Sequence, residues 1–206
     1  ETIIASRNIR FEGDGYSDEW KEEAMKRGLT NVSHVPDAIM RFNDPQSRNV
    51  LIGENIFNEN ELNCRIEVEL EKFTKKVQIE SRILGDLAIN HIVPTAVFYQ
   101  NRLLENLRGL RETFSPEEYE MLGADRRELV KEIQLHTLEI KRLVHEMTEA
   151  RHIANRLDSQ IKKAYSYEEC VSPYMEKIRE HIDHLELEID DEIWPLPKYR
   201  ELLFTK

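Results

Sequence analysis

Histidines and carboxylates at helical spacing are the residues of this chain best suited to chemistry, and metal binding is the chemistry they suggest first. A di-iron or di-manganese centre in a helical bundle needs two Glu-x-x-His pairs on separate helices plus further carboxylates. The chain offers one such pair, Glu149 with His152, and no equivalent elsewhere. His181 and His184 lie three apart and share a helix face, but Glu180 and Asp183 beside them suit a solvated surface equally well. His136 falls on an apolar stripe, where a histidine held by a core or interface hydrogen bond is the better reading than a ligand. No metal, cofactor-binding or catalytic residue is therefore assigned.

Other constellations are weaker. Gly13-Asp14-Gly15 precedes a helix start, as a phosphate cradle would. It lacks a third glycine and a following lysine, and Asp14, Asp18 and Glu19 would repel an anion, so a tight turn is expected. No serine stands in a nucleophile-elbow setting, and neither Cys64 nor Cys170 has a histidine within a few residues. Two cysteines make no disulfide framework, and idle thiols in a reducing cytoplasm are expected. Glu186, Glu188, Asp190, Asp191 and Glu192 crowd a helix C-terminus, where the macrodipole disfavours them. They read either as a solvated face or as partners for basic residues of another segment.

The elements that carry these residues are helical. Leu129, Ile133, His136, Ile140, Leu143, Met147, Ala150, Ala154, Leu157 and Ile161 alternate steps of four and three. That spacing predicts one unbroken helix over 125–163, roughly 50 Å long, with a seam that only a bundle or coiled coil can cover. Ala150 and Ala154 mark where a neighbour comes closest. Asn58 with Glu61 starts another long helix, whose stripe runs Leu62, Ile66, Leu70, Phe73, Val77, Leu84, Ala88. Pro94 predicts a kink or break near 90–94, after which Val97, Leu103, Leu104, Leu107 and Leu110 resume the pattern. Ser115-Pro116 opens a short turn, Gly123 ends it, and Tyr165 and Ser166 begin the next connection. Ser172-Pro173 starts the last long helix, with Val171, Met175, Ile178, Ile182, Leu185 and Ile189 on one face. Trp194-Pro195-Leu196-Pro197 stops it, and Lys198 to Phe204 is apolar enough to fold back on the bundle.

The fold class is thus all-α, an up-down bundle of long helices (one kinked near Pro94) with a short extended N-terminal arm. Residues 1–16 read as an extended arm or strand ending in a turn, or a linker from an absent catalytic region. Residues 17–57 form short broken helices: one from the Ser17 cap to Gly28, one opening at Pro36, one capped by Ser47. Residues 58–206 form the long-helix bundle. A net charge of −11, with Lys and Arg spread among acids, argues against a nucleic-acid partner. No apolar run reaches membrane-span length, and no signal-peptide pattern opens the chain. Its start without Met suggests a piece of a longer polypeptide.

Two stretches resemble one family. Arg10-Phe11-Glu12-Gly13-Asp14-Gly15-Tyr16-Ser17-Asp18-Glu19-Trp20, with Glu23-Ala24-Met25-Lys26-Arg27-Gly28-Leu29, resembles the segment just beyond the catalytic core of type III glutamine synthetases. The tail from Leu185 through Ile193-Trp194-Pro195-Leu196-Pro197-Lys198-Tyr199-Arg200 to Phe204 resembles the C-terminal end of those enzymes. Ile79 through Gln100 and Arg102-Leu103-Leu104 also fit. The resemblance implies a cytoplasmic parent enzyme that uses ATP and magnesium or manganese to join ammonia to glutamate, arranged as stacked hexameric rings. Its catalytic motifs match no position here. The chain is expected to be an inactive C-terminal helical domain with a structural, assembly or regulatory role, partnered by the catalytic domain of its own polypeptide and by neighbouring subunits. A freestanding helical adaptor presenting the 129–161 seam is the first rival, and a bundle metalloenzyme the second.

Overall fold

A computed structural model describes residues 2–203, with the side chains of residues 199 and 200 left undescribed. The described residues are helical without strands. The N-terminal segment differs from the expected arm: Thr2–Ala5 is one helical turn (α1), Arg7–Ile9 is a 3-10 turn, and extended backbone begins only at Arg10. Arg27 holds this segment by donating to the carbonyls of Ile9 and Arg10. Helix α2 (Asp18–Lys26) starts where the Ser17 hydroxyl accepts from the Trp20 amide. It closes with Gly28 at φ 68°, a left-handed C′ position suited to glycine.

Helix α3 (Val35–Met40) runs into a 3-10 turn, and α4 (Pro45–Gly53) comes next. The N-cap of α4 is Asp44, with Pro45 at its start, rather than Ser47. Proline's fixed φ and missing donor suit a first helical position, which places the boundary earlier. The expected capping box of Asn58 and Glu61 opens α5 (Glu59–Leu87, 29 residues). At Pro94 the chain neither breaks nor ends: a π-helical segment, Ala88–Ile92, joins α5 to α6 (Val93–Thr113). A wider turn there removes the demand for the hydrogen bond that proline cannot donate. A second capping box, Ser115 with Glu118, starts α7 (Pro116–Leu122), and Gly123 separates it from α8 (Ala124–Asn155, 32 residues).

The long seam is not carried by one helix. α8 ends at Asn155, and α9 (Gln160–Cys170) begins after a cap at Ser159. The Arg156 and Leu157 amides close the last turn of α8 by bonding three residues back. Asn155 Oδ1 accepts from Gln78 Nε2 at 3.1 Å and from the buried Tyr167 hydroxyl at 2.9 Å, tying the helix end to α5 and α9. Leu157 therefore lies outside both helices and Ile161 is 38% exposed. Tyr165 and Ser166 lie inside α9 rather than opening a connection. Helix α10 (Ser172–Glu188) and a short α11 (Tyr199–Leu202) complete the described chain.

Three antiparallel rods result: α5–α6, then α8, then α9–α10. Ile133, Ile140, Leu143 and Met147 of α8 pack with Val77, Ala88, Ile92 and Ala96 from the first rod, and with Val171, Ile178 and Leu185 from the third. The 129–161 seam is thus filled within the chain. A smaller cluster joins Leu62, Ile66, Leu70 and Ala164 to Ile39, Leu51 and Phe57, so the short helices lean on the start of α5. Of the residues expected on the buried face of α6, Leu107 is buried and Leu103 and Leu110 are half-buried, whereas Val97 and Leu104 are exposed and Val93 and Ala96 are buried instead. Leu202 borders a groove beside Trp194 and Leu196, although it is itself mostly exposed. Phe204, the end of the apolar tail, lies outside the described residues.

Gly85 marks the close approach of the first two rods. A Cβ there would meet Val144 Cγ1 at 3.4 Å and Met147 Cε at 3.6 Å. Gly85→Leu is expected to overpack this contact and cost about 1–3 kcal/mol in urea denaturation. Gly85→Ala fits and is expected to change stability by less than about 1 kcal/mol, since relief of glycine's helix penalty offsets the tight contact.

Candidate functional site

The antiparallel pairing of α8 with α10 brings together histidines that sequence spacing leaves apart. His136 Nδ1 stands 2.9 Å from His181 Nδ1, one nitrogen donating and the other accepting. The rings of His136 and His184 stack at 5.0 Å between centroids, and His136 meets His181 edge-on at 5.1 Å. One turn away, the carboxylate of Glu132 on α8 faces that of Glu188 on α10. Glu188 Oε2 is buried with no donor.

Burial depresses the His136 pKa, and the charges of His181 and His184 push it the same way, against an opposing pull from Glu132. Burial raises the Glu188 pKa, reinforced by the Glu132 carboxylate and by a proton shared with it, while His184 opposes the shift. Both shifts favour the uncharged form of the group that carries them, His136 on α8 and Glu188 on α10. As a metal seat the cluster is incomplete, because among the described residues no three His, Cys, Asp or Glu side chains are arranged to hold an ion.

The remaining candidates do not join it. Glu149 and His152 form a 3.6 Å pair with both side chains more than half exposed. In the Gly13-Asp14-Gly15 turn, Asp14 Oδ1 accepts from the Tyr16 amide at 2.9 Å, so the carboxylate itself takes the place of a bound anion. A Cβ on Gly13 would strike the Phe11 ring at 2.7 Å, which accounts for the glycine. Cys64 and Cys170 are free and exposed. The acidic C-terminus of α10 meets basic residues from elsewhere. Lys198 Nζ donates to the Glu186 carbonyl at 2.6 Å and to Asp191, while Arg102 lies 3.6 Å from Asp190. Tyr165 anchors α9 by donating to Asp37 at 2.6 Å, which pushes its pKa up to about 12. No described helix is long and apolar enough to cross a membrane.

The fold is therefore an all-α bundle of three rods, with its conspicuous polar cluster lying at the contact between two of them. The family model for the glutamine synthetase C-terminal domain matches residues 1–111, more than half of the chain, and the chain belongs to that family. Over its full length it is 70% identical to a glutamine synthetase of Bacteroides fragilis (strain YCH46), covering 28% of that protein. It is 28% identical to the type-3 glutamine synthetase of Dictyostelium discoideum, again covering 28%. Against a glutamine synthetase of Butyrivibrio fibrisolvens it is 27% identical and covers 29%. The chain thus spans a little over a quarter of these relatives.

The two shifted groups give opposite pH dependences. Unfolding lets His136 regain its ordinary pKa of 6.5, so the unfolded chain binds its proton first. Stability is then lost as pH falls through 6.5 and levels off below the lower folded value. Glu188 takes its proton earlier when folded, so stability is gained as pH falls through its raised pKa towards 4.5. In thermal melts, His136→Leu is expected to lose less of its midpoint than the native chain between about pH 8 and 6. Glu188→Gln is expected to melt higher at neutral pH, each kcal/mol reading as about 2–4 °C, and to lose that advantage in acid.

Proposed function

We propose that this chain is the non-catalytic C-terminal helical region of a type III glutamine synthetase, and that it braces the catalytic part of that enzyme. The parent reaction would be ATP-dependent ligation of ammonia to glutamate with magnesium or manganese, in the cytoplasm. The partners would be the catalytic domain of the same polypeptide and neighbouring subunits, assembled as stacked hexameric rings.

The observation that carries the reading is the apolar surface of the N-terminal segment. Ile4 and Ile9 are each 79% exposed and Tyr16 is 94% exposed, with Ile3 and Met25 close behind. What the segment buries is local, with Phe11 and Trp20 at 5.0 Å between ring centroids and Ala24 fully enclosed. Scattered apolar side chains on a surface are ordinary, but this many in one short segment mark a face that another surface covers. The segment falls within the span matched by the glutamine synthetase C-terminal family, and the relatives supply several hundred further residues that could cover it. The adaptor alternative loses its main feature, since the seam it would present is occupied by α5, α6 and α10.

Removing residues 125–206 would strip the cover from the α5–α6 core, so such a truncation tests folding before it tests assembly. Surface variants are cleaner. In a polypeptide of the relatives' full length, Ile4→Asp combined with Ile9→Asp is expected to shift mass photometry towards smaller assemblies, reflecting a loss on the order of 2 kcal/mol or more. The same pair should leave the melting midpoint of the 206-residue chain unchanged, and that chain alone should make no glutamine. Intact assembly and unaltered kinetics in the double variant would rule out the bracing role.

A further inference from the structure

Three guanidinium groups gather where α6 ends and α8 begins. Arg108 and Arg111 stand on the last turns of α6, and Arg127 on the first turn of α8. Between them lies a hollow of about 580 Å³ walled by Arg111, Arg127, Phe114, Pro116, Tyr119 and Glu120. A second hollow of about 420 Å³ adjoins it and adds Arg108. Both fall in the size range of small-molecule sites.

Arginines outnumber carboxylates on the walls of the two hollows, where Glu120 is the one acid among the described residues. Several basic residues elsewhere pair with acids one turn away, as Arg142 does with Glu139 and Glu146, and Lys75 with Glu71. Neither Arg108 nor Arg111 has a hydrogen-bonding or acidic partner among the described residues. Glu120 answers Arg127 alone, at 2.7 Å from Nη2, and Arg127 is further fixed by the Glu120 carbonyl and by the Tyr119 ring at 5.1 Å. Its Nη1 is buried without an acceptor. Glu118 is committed to the α7 cap, accepting from the Ser115 amide at 3.0 Å. Arginines at a helix C-terminus are favoured by the macrodipole, which accounts for Arg111 singly. It accounts neither for a concave aromatic wall nor for a third, immobilised guanidinium across the hollow.

We propose that this corner binds a small phosphate-bearing anion. Planar guanidinium forks match tetrahedral phosphate oxygens, and groups drawn from two helices would converge on a multiply charged ligand. In a chain of net charge −11, such a local positive hollow also concentrates anions that the rest of the surface repels.

Pyrophosphate, titrated into the full 206-residue chain at fixed ionic strength, is the probe, read by calorimetry and by the rise in melting midpoint. Saturable binding is expected in the native chain, weakened about tenfold or more in Arg108→Gln/Arg111→Gln, both of whose side chains are exposed. Circular dichroism of the variant checks its fold, and Arg111→Gln alone replaces it if helicity falls. Arg156→Gln, at the far end of α8, removes one positive charge, as Arg111→Gln does, and is expected to bind as the native chain does. Absence of saturable binding, equal binding in the double variant, or equal weakening by Arg156→Gln would overturn the proposal.

Discussion

An amphipathic helix of 32 residues is unstable in water until its apolar stripe is covered, and covering α8 is what organises this molecule. Neither neighbouring rod suffices. The first supplies Val77, Ala88, Ile92 and Ala96, and the third supplies Val171, Ile178 and Leu185. Each fully buried aliphatic side chain contributes about 1.5–3 kcal/mol relative to exposure, so losing either rod removes several such contributions together. This explains why similarity to glutamine synthetases extends over the whole chain although the family model ends near the last turn of α6. The matched half buries its core only against the other half.

Polar groups on the buried faces are handled locally. Thr74, Ser81 and Thr137 lie almost wholly inside, and each hydroxyl donates to a carbonyl three or four residues back. They need no partner across the interface, and their small size lets the rods approach. The histidine and glutamate cluster is different, because its satisfaction is shared between α8 and α10 and depends on both helices being in place. That dependence makes it a condition of the pairing between rods.

Period and capping residues make much of this legible from sequence. The two capping boxes, the Gly28 terminus and the stripes of α5, α8 and α10 stand where spacing puts them. The departures have identifiable reasons. Leu157 and Ile161 keep the heptad period through 156–159, yet Asp158-Ser159 supplies a ready N-cap and the helix restarts there. Val97 and Leu104 leave the buried face because each stands one position beyond the inward-facing residue, Ala96 and Leu103, to which the π segment brings the stripe. The meeting of His136 with His181 and His184 depends on α10 lying antiparallel on α8, which no spacing within one helix reveals. The arginine corner is invisible in the sequence for the same reason, since its members belong to different helices joined by a turn.

The π segment leaves a further mark. Leu84, Ala88, Ile92 and Ala96 face inward at three successive steps of four. Twelve residues in regular α geometry would turn about 3.3 times, carrying Ala96 roughly 120° off the face that Leu84 occupies. The widened turn absorbs one residue and brings the two halves back into phase. Residues 88–92 therefore act as a vernier in the rod. Losing one residue there would keep both apolar faces aligned but would set Pro94 in a regular α ladder whose hydrogen bond it cannot donate, whereas the same loss inside α8 would rotate everything beyond it away from its partners. Within the long rods, this is the place where the phase of the apolar face and the missing donor of Pro94 are accommodated by one and the same extra residue.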